Sequence, residues 1–127
     1  MKPTTLYWSL IEHINKVHQK TYIQARLNAW GKDNIKCECA NTLVTKPTYH
    51  IFFDCLNEQI QFQRSTLWIM LELFAPEDIK TSTKTTQVLW LLGKPYNNED
   101  QKVIPTNILV KTAELIYNAA NLFFKQD

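Results

Sequence analysis

The chain has 127 residues, of which 45% are hydrophobic and 20% are charged, and this composition is typical of one globular domain covering residues 1–127. Its formal net charge of +2 is too small to indicate nucleic-acid or membrane binding. No uninterrupted apolar run follows Lys2 and Pro3, which argues against a signal peptide, and no segment has the length of a membrane span. We therefore expect a soluble, cytoplasmic protein.

The N-terminal region predicts a long helix. Pro3-Thr4-Thr5 is a suitable start, and Gly31 is a suitable C-terminal stop. The apolar stripe of this helix changes its angle after Thr21, because the later apolar residues project from a different side. The shift predicts either a bend near residues 19–22 or a helix that changes its contacts there.

Residues 35–64 predict a three-stranded antiparallel meander, around which the rest of the fold is organised. Apolar and amide side chains alternate strictly over Gln59–Gln63, which is the period of a half-buried strand. A tight turn at Asn57-Glu58 would pair this segment with Tyr49–Leu56 so that both place apolar side chains on one face. The first strand of the meander is Ile35–Cys39.

The three cysteines converge in this arrangement. Either Cys37 or Cys39 lies opposite Cys55, so that three thiols gather on the buried face of the sheet. An odd number of core-facing cysteines is typical of a reducing compartment. The competing interpretation is a zinc site built from the three cysteines, with or without His50, but cysteines two apart in a strand converge poorly and His50 falls on the opposite face. We therefore predict neither a metal nor another cofactor.

Two apolar segments follow the meander, and periodicity does not decide their conformation. Residues 67–74 and residues 86–92 fit either helices or buried strands. The Leu, Met and Glu content favours helix for the first, which Pro76 would end, and the stop signal Gly93-Lys94-Pro95 favours helix for the second. The polar stretch from Ala75 to Thr86 is predicted as a surface loop. A final helix begins at Pro105 and has the clearest apolar face in the chain.

The predicted fold class is α+β, with a long N-terminal helix, a three-stranded antiparallel meander and a C-terminal helix packed on the sheet. Strands in the middle segments would extend the sheet to four or five. Two surfaces are candidate binding sites. The polar sheet face carries His50, Phe52, Asp54, Gln61 and Gln63. The edge of the last helix carries Val110, Tyr117 and Phe124, which either complete the core or form a seam that faces a partner.

The sequence contains no convincing catalytic pattern. His50 and Asp54 would lie about 13 Å apart along a strand, too far for an acid–base pair. The favoured function is a small non-enzymatic protein-binding module, such as an inhibitor, adaptor or dedicated chaperone, with another protein or a homodimer as its partner. One alternative is a weak nucleic-acid-binding protein. Another is a metal-dependent nuclease or hydrolase that uses Asp54 and Asp78.

Overall fold

The protein is α-helical in the part of the chain that the computed structural model describes. This part comprises residues 12, 14–26, 37, 39, 44, 47–93 and 104–123, is 79% helical and contains no β-strand. Its helices are α1 (Lys16–Arg26), α2 (Pro47–Tyr49), α3 (Glu58–Phe74), α4 (Glu77–Lys80), α5 (Lys84–Leu91) and α6 (Thr106–Phe123), and a π-helical turn, His50–Asp54, directly follows α2. The predicted α+β fold with an antiparallel sheet is therefore wrong.

The segment predicted as the third strand is the start of α3. The Oδ1 of Asn57 accepts hydrogen bonds from the backbone N–H groups of Gln59 at 3.0 Å and Ile60 at 3.2 Å, so this residue caps a helix instead of turning a hairpin. Residues two apart project about 200° apart on a helix. Ile60 is accordingly fully buried, whereas Phe62 is 74% exposed. A strand would have placed both on one face.

The segment predicted as the second strand, Tyr49–Leu56, contains the π-helical turn. Ile51 and Phe52 are consecutive and both fully buried, whereas Phe53 is 37% exposed. A strand alternates its side chains between two faces, so it would not bury two consecutive residues in one core. Of the first predicted strand, Ile35–Cys39, the structure describes only the two cysteines, and neither lies in a strand.

The helices predicted in the second half of the chain are confirmed. Residues 67–74 lie in α3, which ends before Pro76, and the final helix α6 begins just after Pro105. Residues 86–91 lie in α5. The stretch between these segments is not one loop, because it contains the short helix α4.

In the N-terminal region, α1 is continuous over Lys16–Arg26, so the helix is not interrupted at residues 19–22. Most of the predicted first helix lies outside the described residues. In the part that is described, Tyr22 and Ala25 are buried, whereas Val17 is 59% exposed. The buried face of α1 therefore includes Tyr22 and Ala25 and excludes Val17.

Helix α6 is central to the core, because it packs against α1, α3 and α5. Its buried residues are Ile108, Leu109, Thr112, Ala113, Leu115, Ile116, Ala119 and Ala120. The hydroxyl of Tyr22 donates a 2.7 Å hydrogen bond to the carbonyl oxygen of Leu91, which connects α1 to α5. None of the described helices is both long and apolar enough to cross a membrane.

Candidate metal centre

Cys37, Cys39, His50 and Cys55 each bring one potential ligand atom into a single cluster, and these four atoms all lie within 4.8 Å of one another. The Sγ of Cys37 lies 3.4 Å from that of Cys39 and 3.6 Å from that of Cys55. The Sγ of Cys39 lies 3.8 Å from that of Cys55 and 3.3 Å from the Nε2 of His50. Three of the four residues are buried, and Cys39 is half-buried.

These four distances are close to those between ligand atoms around a tetrahedral zinc ion. Bonds of about 2.3 Å to sulfur and about 2.0 Å to nitrogen place two sulfurs about 3.8 Å apart, and a sulfur and a nitrogen about 3.5 Å apart. The measured distances of 3.4–3.8 Å between sulfurs and 3.3 Å between sulfur and nitrogen agree to within about 0.4 Å. A disulfide requires about 2.05 Å, and all three cysteines are free thiols.

The π-helical turn explains why His50 and Cys55 lie side by side. In an α-helix, residues five apart point about 140° away from each other. Here the backbone N–H of Cys55 donates to the carbonyl oxygen of His50 at 2.8 Å, which is the five-residue hydrogen bond of a π-helix. The wider turn brings the two side chains to the same side. Such single π-turns are frequent at functional sites.

Helix α3 holds this turn in place through two side chains. The guanidinium of Arg64 donates from Nη1 to the carbonyl oxygen of Ile51 at 3.2 Å and from Nη2 to that of Cys55 at 2.8 Å. The indole N–H of Trp68 donates to the carbonyl oxygen of Phe52 at 3.4 Å. Because Ile51 and Phe52 are also fully buried, both the backbone and the side chains of the turn are fixed to the core.

The sulfur atoms accept hydrogen bonds from backbone N–H groups. Burial raises the pKa of the Cys37 thiol, and a hydrogen bond from the backbone N–H of Cys39 acts to lower that pKa. Burial raises the pKa of the Cys55 thiol to about 12, and a hydrogen bond from the backbone N–H of Asn57 acts to lower it. Burial also acts to raise the pKa of Cys39, but hydrogen bonds from the Leu56 N–H and the two neighbouring thiols outweigh it and lower that pKa. Such bonds stabilise thiolates, as they do around metal ligands.

The imidazole of His50 is held in its neutral form. Burial lowers its pKa, the Arg64 guanidinium lowers it further, and the Asp54 carboxylate only partly opposes them. Neutral imidazole is the form that binds a metal ion through a ring nitrogen. The electrostatic setting of this residue therefore suits a ligand, and its Nε2 already points at Cys39.

The other residues of the predicted polar sheet face do not form one surface, since the sheet is absent from the described residues. Phe52 is fully buried and Asp54 is exposed. Gln61 donates to the carbonyl oxygen of Leu56 at 2.8 Å, and Gln63 borders a groove between α3 and α6. Of these five residues, only His50 belongs to the cluster formed with Cys37, Cys39 and Cys55.

The residues of the predicted seam on the last helix that the structure describes, Val110 and Tyr117, have different environments. Val110 is exposed, at 36%. Tyr117 packs its ring against His18 of α1, with 4.6 Å between the ring centroids, so this position contributes to the contact between two helices of the protein itself. Phe124 lies outside the described residues.

The predicted acidic nuclease site has no support in the described ranges. There, the Cys37–Cys39–His50–Cys55 cluster is the one group of three or more metal-binding side chains, and Asp54 and Asp78 belong to no such group. Sequence reasoning also missed Arg64, because nothing in the pattern of residues around it points to the carbonyl oxygens that it binds.

No known protein family, curated protein or solved structure matches this chain at a significant level. Function is therefore inferred from the geometry of the described residues. In the sequence, the four cluster residues form the pair Cys37-x-Cys39 and, eleven residues after Cys39, the pair His50-x4-Cys55.

Proposed function

We propose that the protein binds one zinc ion through Cys37, Cys39, His50 and Cys55, and that the ion stabilises a small helical domain. The observation that carries this proposal is the convergence of the four ligand atoms within 4.8 Å of one another, with three sulfur–sulfur distances and one sulfur–nitrogen distance close to the edges of a zinc tetrahedron. Sulfur and imidazole nitrogen are ligands that Zn²⁺ prefers, whereas Mg²⁺ and Ca²⁺ prefer oxygen.

The site is structural and not catalytic. Structural zinc sites have four protein ligands, whereas catalytic sites keep one position open for water or substrate. Here three thiolates and one imidazole complete the tetrahedron. The resulting centre has a formal charge of −1, which the backbone N–H donors and the nearby Arg64 offset.

Ordinary packing of small residues does not account for the cluster. Thiols are commonly buried, so Cys37 and Cys55 alone would be unremarkable core residues. His50 is the distinguishing member of the cluster, because it is buried, with an exposure of only 7%, and its Nε2 lies 3.3 Å from the Sγ of Cys39. Imidazole nitrogen together with thiolate sulfur is the ligand set of a structural zinc site. A metal ligand role explains this choice of residue.

The direct test is the metal content and the spectrum of the purified full chain. We expect one equivalent of bound zinc, and replacement by Co²⁺ should give the visible d–d bands of a tetrahedral site together with a thiolate-to-cobalt charge-transfer band. X-ray absorption at the zinc edge should show three sulfur ligands and one nitrogen ligand. Absence of bound zinc, or an octahedral oxygen environment, would overturn the proposal.

Variants locate the site. Cys55→Ser and His50→Asn should lose stoichiometric zinc, whereas His50→Cys should retain it, because four cysteines are also a structural zinc set. His18→Asn is the matched control, since His18 packs against Tyr117 and belongs to no metal-binding group in the described residues. Zinc retained by Cys55→Ser, or lost from His18→Asn alone, would contradict the assignment.

A further inference from the structure

An apolar stripe runs along the outer face of α3. Phe62, Ile69 and Leu73 are 74%, 61% and 64% exposed, and their spacing of seven and then four residues places them on one side of the helix. They span about 16 Å along the helix axis. We call these three residues the α3 outer stripe.

Most of the exposed charges near the α3 outer stripe are acidic. Between residues 58 and 79, the exposed charged side chains are those of Glu58, Glu72, Glu77 and Asp78. The basic exception is exposed Lys84 of α5, whose amine lies 4.4 Å from the centre of the Trp68 ring on α3. A helical projection places Glu58, Glu72 and Trp68 on the same side of the stripe, so two glutamates and one lysine give this border a net negative charge.

A groove lies along the other border of the stripe, between α3 and α6. It has a volume of about 280 Å³ and is lined by Gln59, Phe62, Gln63, Thr66, Lys111 and Glu114. The amine of Lys111 and the carboxylate of Glu114 are 3.8 Å apart, so this border has no net charge. The groove has room for a large side chain of a molecule that lies on the stripe.

We propose that the α3 outer stripe docks an amphipathic helix of another protein, whose apolar face is flanked on one side by Lys or Arg. An exposed apolar stripe with spacings of seven and four residues packs against the apolar face of a second helix, as in a coiled coil. The acidic border supplies charge complementarity and sets the orientation of the partner.

Other occupants fit this surface less well. Two copies of the chain paired antiparallel through α3 would bring Glu58 and Glu72 of both copies together, with no exposed Lys or Arg on α3 to compensate. An anionic membrane surface attracts basic segments and would repel the same border. A basic amphipathic helix satisfies both the apolar stripe and its charge.

The test uses two designed amphipathic peptides of about five helical turns with the same leucine stripe. One carries lysines beside the stripe and the other carries glutamates. Fluorescence anisotropy of the labelled peptides should show that the full chain binds the lysine peptide about fivefold more tightly, and that added salt reduces the difference. The variant Glu58→Lys/Glu72→Lys should reverse the preference. Equal binding of both peptides, or an unchanged preference in that variant, would overturn the proposal.

A second variant tests the stripe itself. Ile69→Asn/Leu73→Asn should weaken binding of the lysine peptide at least about tenfold, because both anchors are removed. Val17→Asn is the matched control, since Val17 is 59% exposed on α1 and far in sequence from the stripe. Circular dichroism confirms that both variants fold. A concentration-dependent dimer that Ile69→Asn/Leu73→Asn abolishes would assign the stripe to a second copy and overturn the proposal.

Discussion

The backbone N–H of Cys55 donates a 2.8 Å hydrogen bond to the carbonyl oxygen of His50, and this one contact joins two metal ligands that lie five residues apart. An α-helix would separate the two side chains by about 140°, and a strand would place them on opposite faces. The π-helical turn therefore places a histidine and a cysteine that are five residues apart on the same side of the backbone, where both could bind one ion.

Replacing Arg64 should weaken zinc binding. Arg64→Ala removes the donors to the carbonyl oxygens of Ile51 and Cys55, which hold the turn that carries two ligands. We expect the zinc affinity to fall about 10–100-fold, as for other residues that orient metal ligands. Competition with a chromophoric chelator measures this loss. Lys111→Ala, an exposed residue of α6, should leave the affinity unchanged, and an equal loss in both variants would contradict the role of Arg64.

Zinc affinity should rise steeply with pH. Burial raises the pKa of Cys37 and that of Cys55 to about 12, so both thiols hold protons near neutrality and zinc must displace both. For each proton that zinc displaces, the apparent affinity increases about tenfold when the pH rises by one unit. With two displaced protons, the apparent affinity should increase about 100-fold or more per pH unit between about pH 6 and 8. His50 adds little, because its pKa lies below its ordinary value. Chelator competition at several pH values measures the slope, and a slope below tenfold would contradict this protonation state.

Two neighbouring substitutions test the helical assignment of α3. Ile60→Ala removes a fully buried side chain and should destabilise the protein by about 2–5 kcal/mol. Phe62→Ala removes a side chain that is 74% exposed and should change the free energy of unfolding by less than about 0.5 kcal/mol. Chemical denaturation of both variants measures the difference. Equal losses would indicate that both residues face the core, as in a strand.

Asn57 should contribute to stability as a helix cap. Asn57→Ala removes the acceptor for the backbone N–H groups of Gln59 and Ile60, and we expect a loss of about 1 kcal/mol in the free energy of unfolding. Asn57→Asp keeps an acceptor oxygen at the N-terminus of α3 and should retain most of the stability. Thermal or urea unfolding measures both. A loss of the same size in both variants would show that capping is not the reason.

The helices with long apolar faces were predictable from the sequence. α6 has a wide inner face that begins directly after Pro105, and the structure buries Ile108, Leu115 and Ile116 as expected. The helical form of residues 67–74 followed from their Leu, Met and Glu content. These signals are strong because they repeat over several turns.

The region from residue 35 to residue 64 could not be predicted in the same way. Five residues of alternating polarity, Gln59–Gln63, fit a strand as well as the first turns of a helix, and the cap at Asn57 decides between them. The convergence of the three thiols was predicted and is confirmed, although no sheet holds them. A strand over Tyr49–Leu56 puts His50 on the face opposite Cys55, and no residue pattern in the sequence distinguishes the π-turn that brings them together.

The Sγ atoms of Cys37 and Cys55 lie 3.6 Å apart although the residues are 18 positions apart in the chain. An ion held by both would act as a cross-link, and closing a loop of this length removes about 3 kcal/mol of unfolded-state entropy. The resistance of the segment between Cys37 and Cys55 to proteases would then depend on bound metal. Helix α6 contacts α1, α3 and α5 directly, and these contacts do not involve the metal ligands. A chelator should therefore expose cleavage sites near the cysteines well before it unfolds the helical core.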